Sequence, residues 1–319
     1  MTSEVSIQTL SFTFENIRLN RFGQVVKRYT STNFGFEERL HLETSLRMMA
    51  VPQMHSAVVD EQPSDPAFYM AHVPITQRQW RQLASAPTIN YDLDADPAHF
   101  TGDNLPVESV SQAQAQEFCD RLSLRTQRTY RLPTPEEWTH ACMAGSSQAF
   151  CYGETLSTDW ANYDSRTHRT HHRNRTHTQQ GTFAAESGGY ARQQTTPIGS
   201  FGVANRLGLF DLHGNVWEWC QPMPERLQSY GQKPIRGGSW QSPPQACQAS
   251  FEMECAGHSE RSNIGFRVIC LPHQRPRTNA SFAQSQVTQS VLSNINARDV
   301  SVGNITLINN YYGKQHPDS

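Results

Sequence analysis

The chain has 319 residues, 36% of them hydrophobic, with 27 basic against 29 acidic side chains and a formal net charge of -2. That length can bury one sizeable core with a small appended unit, and the near-neutral balance removes a whole-molecule electrostatic case for nucleic acid. The mean hydropathy of -0.63 points to extensive polar surface. No window reaches membrane-spanning length, and MTSEVSIQTLSF shows no basic region ahead of an apolar run, so the expectation is a soluble, cytoplasmic protein with no membrane partner. The seven cysteines, at 119, 142, 151, 220, 247, 255 and 270, form no CxxC pair and are odd in number. Without an export signal they are expected to be reduced, mostly buried thiols, and the sequons at Asn279 and Asn304 carry meaning only in a secreted chain.

Residues 4–30 alternate apolar and polar positions in SFTFENIRLNRFGQVVKRY, punctuated by Asn20, Arg21 and Gly23, which predicts a β-hairpin. ITQRQWRQLAS, at 75–85, predicts a helix with Thr76 as N-cap and Trp80 and Leu83 on one face. A second helix is expected over 109–124, capped by Ser109 or Ser111, with Ala115, Phe118, Cys119 and Leu122 as its apolar stripe. RLPTPEEWTHACMAG, at 131–145, is the strongest helical signal: Thr134 caps it and Pro135 takes the first helical position. Glu136 and Glu137 favour the positive end of the dipole, Trp138, Ala141 and Cys142 face inward, and Gly145 ends it.

Beyond residue 145 glycine, aromatic and short β-like runs take over. RTHRTHHRNRTH, at 166–177, holds four histidines, but its arginines repel a cation and no carboxylate stands within it. A solvated basic loop is expected there, with an acidic or nucleic-acid contact as the alternative. The stretch 272–289 is poor in apolar residues and expected to be flexible, and ARDVSVGNITLINNYY after it reads as a terminal strand or a docking segment.

Several blocks occur in a recognisable order: FYMAHVPITQRQW (68–80), NLPVESVSQAQAQEFCDRLS (104–123), RLPTPEEWTHACMAG, LGLFDLHGNVWEWC (207–220), RGGSW (236–240) and NIGFRV (263–268). Together they resemble the formylglycine-generating enzyme, or sulfatase-modifying factor, family across about residues 46–271. The resemblance implies an α+β fold, a variant of the C-type lectin fold with much irregular structure. It leaves 1–45 as an N-terminal β-rich extension and 272–319 as a flexible tail with a terminal β segment. Gly208, Gly214, Gly237, Gly238 and Gly265, with Trp217 and Trp219, are expected to build the scaffold rather than a site.

The family's enzymes bind copper through two cysteines in the loop after RGGS(Y/W). The corresponding positions here are Ser242 and Cys247. A neutral hydroxyl is a hard, weak ligand for the soft Cu(I) ion, so the pair reads as vestigial, no copper is expected and catalysis is not carried over. Two readings stand for Cys247, a packed inert thiol and the remnant of a metal pair. The resemblance also implies a calcium group in GLFDLHGNVWEW: carboxylates from Asp211 and Glu218 and carbonyls from Gly214 and Val216. Internal hydrogen bonds or salt bridges are the alternative for those carboxylates. A second calcium group would begin at Asn162 and Tyr163, but its later acidic ligand is replaced near Tyr190–Arg192, and that site is read as lost.

SWQSPPQACQASFEMECAGHSERSNIGFRV further resembles the variable region of retroelement-diversified ligand-binding proteins that use this fold. The candidate ligand-binding residues are Gln241, Ser242, Gln245, Gln248, Ser250, Glu252, Met253, Glu254, His258, Glu260 and Ser262. Adenine mutation of an asparagine codon does not yield Gln, Glu or Met, which recur here, so a static surface of the same ancestry explains the stretch equally well. The expected function is non-catalytic binding of a protein or peptide. The alternatives are a copper-dependent formylglycine-generating oxidase and a sensor or adaptor that docks on an effector or sister subunit through 1–45 and 280–319.

Overall fold

The computed structural model describes residues 8–54, 66–166, 168–172, 175–179, 189–222 and 231–272. The chain divides into a compact unit, Met1–His273, and a second unit, Gln274–Ser319, so the expected tail and its terminal β segment lie outside the described residues.

The predicted hairpin forms from β1 (Leu10–Leu19) and β2 (Val25–His41), with Asn20 closing the turn through its side chain onto the Phe22 and Gln24 amides. β3 (Thr44–Val51) pairs with β2, and β4 (Phe68–Ala71) with β3. The sheet continues through β12 (Ile269–Cys270) to β5 (Tyr130–Arg131), giving six strands in the order β1-β2-β3-β4-β12-β5. The N-terminal strands expected as a β-rich extension thus pair into the same sheet as β3 and β4. Buried Asn33 donates to the carbonyls of Ala50 and Leu207, and buried Asn16 to those of Ala204 and Asn205, binding the hairpin to the rest of the unit. At Gly35 a Cβ would stand 2.1 Å from the Met48 carbonyl oxygen, so the β2–β3 approach requires glycine there.

α1 (Gln77–Ala84), α2 (Gln112–Thr126) and α3 (Pro135–Met143) each start with a capping box, Thr76 with Gln79, Ser111 with Gln114 and Thr134 with Glu137. Of the two expected caps for α2, Ser111 takes the role; Ser109 instead sits at a left-handed φ of 58° and donates to Glu108. The predicted stripes are buried: Trp80 stacks on Phe118 at 5.7 Å, and both meet Phe266 edge-on. α2 also buries Glu117 and Arg121, which the apolar stripe did not include. Arg121 pairs with Glu117 at 2.7 Å, and between them they hold the backbone of residues 83–91.

A second sheet orders β10 (Glu252–Ala256), β9 (Gln232–Arg236), β8 (Trp217–Trp219) and β11 (Ile264–Gly265), with β11 parallel to β8 and the other pairs antiparallel. The His/Arg-rich run, expected as a loop, instead pairs β6 (His168–His172) with β7 (Arg175–Gln179) as a two-stranded antiparallel sheet. Thr170, Thr176 and Thr178 are β-branched and suit a strand, a signal that the basic composition masks. Among the described residues no helix is long and apolar enough to cross a membrane.

Candidate functional site

The loop between β9 and β11 is held at both ends by backbone geometry that few residues allow. Gly237 and Gly238 adopt φ of 94° and 77°, and a Cβ on Gly238 would stand 2.4 Å from the Cys247 sulfur. Trp240 donates its indole N–H to the Ser262 carbonyl at 3.1 Å and its amide to Asn215, so the two ends of the loop are tied across its mouth. Arg236 donates to the Ser250 carbonyl and pairs with Glu252 at 2.7 Å, fixing the far side.

On this frame Gln241, Ser250, Met253, Glu254, His258 and Glu260 are exposed, and Gln245, Gln248, Glu252 and Ser262 are half-buried. Ser242 does not belong with them. It is buried, its hydroxyl accepts the Ser239 amide at 3.0 Å and lies 3.0 Å from the Ser239 hydroxyl, so it shapes the turn. The strand period splits β10, placing Glu252 and Glu254 on one face and Met253 with buried Cys255 on the other. Phe251 and Arg261, which the sequence does not single out, are also exposed. Phe251 leans on Trp217 at 6.1 Å, and Trp240 meets Phe100 edge-on at 5.5 Å, which adds aromatic surface to the rim.

The copper pair has no counterpart in chemistry. Cys247 ends a 3-10 turn, Pro244–Cys247, and is fully buried among Ile17, Leu19, Phe150, Tyr152 and Tyr163. Burial pushes its thiol well above the ordinary range, and the Ser242 hydroxyl is already committed, so the residues present do not fit copper.

In GLFDLHGNVWEW the Glu218 carboxylate is not free to serve a calcium ion. Both oxygens of Glu218 are taken by Arg267, each at 2.7 Å, and Oε2 also accepts the Trp138 indole N–H at 2.6 Å. The remaining Arg267 donors go to the carbonyls of Ala71 and Phe210. Glu218 thus faces a guanidinium, not a vacant cation site. Asp211 accepts the Gly199 amide at 2.6 Å, and burial raises its carboxyl to about 6. Gly214 packs where a Cβ would lie 2.2 Å from the Asn162 carbonyl, and Val216 is fully buried. Asn162 uses its amide to donate to Gln194, Thr196 and Asn215. Among the described residues no three His, Cys, Asp or Glu side chains converge as a metal site.

The chain is 25% identical over 244 residues to the chaperone protein LppX of Paenibacillus barcinonensis, covering 63% of this chain and 79% of that protein. It is 31% identical over 175 residues to the inactive C-alpha-formylglycine-generating enzyme 2 of Mus musculus, spanning 51% of this chain and about half, 48%, of that protein. Treponema denticola variable protein 1 shares the fold with a TM-score of 0.55 at 19% identity, over 75% of this chain and 99% of its own. Residues 48–271 match the sulfatase-modifying factor enzyme 1-like domain, and with the α+β architecture and the six ordered blocks in place the chain belongs to that family.

Proposed function

We propose that the protein is a non-catalytic binding member of its family that recognises a protein or peptide through the loop and strand between Trp240 and Asn263. The carrying observation is a division of labour within the stretch. Trp240, Ser242, Cys247 and Ile264 are buried and hold the backbone, while Gln241, Ser250, Phe251, Met253, Glu254, His258 and Glu260 reach solvent. A rigid core that presents contiguous polar and aromatic groups is the usual ground plan of a recognition surface. The name of the mouse relative, an inactive formylglycine-generating enzyme, and that of the structural neighbour, a variable protein, support the reading.

Replacing Gln241, Glu254, His258 and Glu260 together with alanine is expected to leave the melting temperature near wild type, because exposed substitutions usually shift stability by no more than about 0.5 kcal/mol. The same variant should lose the partners that immobilised wild type retains, as read by quantitative mass spectrometry. A folded variant that retains the same partners at full strength refutes the assignment. Copper-loaded wild-type protein is expected to leave a cysteine-containing sulfatase-type peptide unchanged; conversion to formylglycine above a no-enzyme control would restore the oxidase reading.

A further inference from the structure

The end of the β1–β2 hairpin and the turn at Gly153 border a cleft of about 560 Å³ that shares no residue with the recognition stretch. That size lies in the range of small-molecule sites, about 300–1,000 Å³. Arg18, Arg21, Lys27, Gln148 and Glu154 line it, and exposed Val26 gives it apolar surface. The two walls are fixed to each other. The Leu19 amide donates to the Tyr152 carbonyl at 2.8 Å, and a Cβ on Gly153, which has φ of 136°, would stand 2.9 Å from the Leu19 carbonyl oxygen. The cleft is therefore formed by the fold itself, before any ligand arrives.

Arg18, Arg21 and Lys27 are exposed, and among the described residues none of them meets a carboxylate, Glu154 included. Arginines elsewhere in the unit do, as Arg47, Arg78, Arg128 and Arg131 show. Moreover, Arg18 and Lys27 stand directly opposite each other across the β1–β2 ladder, where like charges are destabilising. The register shifts at that point: Leu19 pairs with Val25, and Val26 becomes the extra residue of a bulge. Charge on an edge strand such as β1 deters pairing with other chains, yet opposite charges would serve as well without the repulsion. Two facing cations beside a third, on a cleft of fixed shape, call for an anion.

We propose that this cleft binds the phosphate group of a small, soluble phosphate monoester. Three cations against one carboxylate leave two positive charges on the lining, and a monoester carries about −1.5 to −2 near neutral pH. Guanidinium forks match phosphate oxygens in pairs, and the lysine ammonium adds a point charge. The phosphate lies among Arg18, Arg21 and Lys27, and the organic group rests against Val26. The volume suits a small molecule rather than an extended polymer.

Isothermal titration calorimetry of the full chain with phenyl phosphate, near neutral pH and at low ionic strength, tests this. Saturable binding is expected, and phenyl sulfate, of similar shape but with a single charge, should bind at least about tenfold more weakly. Arg18→Gln and Lys27→Gln should each weaken phenyl phosphate by about tenfold as well. Lys27→Gln should do so while the melting temperature of the free protein stays at or above wild type, because the repulsion with Arg18 is gone. A merely structural lysine would lower it. Should either variant fail to fold, Arg21→Gln, exposed in the turn, takes its place. No heat from phenyl phosphate at about 10 mM, well above a weak millimolar affinity, overturns the proposal. Equal binding of phenyl sulfate, or unchanged binding by the folded variants, overturns it too. Tighter binding of a single-stranded oligonucleotide than of phenyl phosphate would overturn it in favour of nucleic acid.

Discussion

Glu218 and His213 show what single side chains contribute here. Glu218→Gln leaves the Arg267 guanidinium buried without its counter-charge, and breaking a buried pair in this way costs about 3–5 kcal/mol. Urea unfolding should show that loss, while excess chelator should leave the wild-type melting curve unmoved. His213 is 2% exposed, its Nδ1 lies 2.8 Å from the Cys247 carbonyl, and its Nε2 accepts the Cys151 amide, so the ring is neutral. Burial lowers its pKa from 6.5 to about 4. Between those values the unfolded chain takes up a proton that the folded chain refuses, so stability falls as the pH drops, on the order of 1.4 kcal/mol per pH unit at most. Asp211 opposes this. Its folded pKa, raised from 3.8 to about 6, means that the native state keeps a proton longer than the unfolded chain, and stability from this group fades as the pH rises across that window. Asp211→Asn is therefore expected to steepen the acid loss and His213→Gln to flatten it, as read from urea midpoints between about pH 4 and 7. The sequence offered Asp211 and Glu218 as carboxylates but not their partners. The cation on Glu218 comes from 49 residues away, and no local pattern announces it.

The helices were readable because their signals are local. Thr76, Ser111 and Thr134 each precede a Gln or Glu by three positions, and all three boxes close as hydrogen bonds. Ser111→Ala or Thr134→Ala should each lower stability by about 1 kcal/mol in denaturant unfolding, since the N3 amide loses its acceptor. The short strands were not readable. β5, β11 and β12 have two residues apiece, too few for any period, and their pairing is set by distant chain. The binding stretch was legible in part. Its glycine and tryptophan ends stood out, but the inward turn of Ser242 and the outward placement of Phe251 follow from the 3-10 turn and β10, which the sequence does not display.

Across the whole compact unit, the first two strands are structural parts of the sheet. Removing residues 1–41 takes away β1 and β2 and strips β3, which carries the buried Leu46, Met48 and Met49, of one of its two partners. That truncation should abolish cooperative unfolding and soluble expression. A chain ended at His273 keeps every paired strand of the described sheets and should retain the melting transition of the full protein, measured by differential scanning calorimetry.

The position of β12 carries a consequence for how the protein is made. It is the last described strand in the chain, yet it lies between β4 and β5, and β11 just before it completes the other sheet. A growing polypeptide therefore presents two open strand edges until Ile269 and Cys270 have left the ribosome. Residues 241–262, the whole of the proposed recognition stretch, are translated before the scaffold that must hold them can close. A premature stop between residues 257 and 268 would thus yield a chain with its binding stretch nearly or fully synthesised and its architecture unfinished, prone to aggregate rather than to bind.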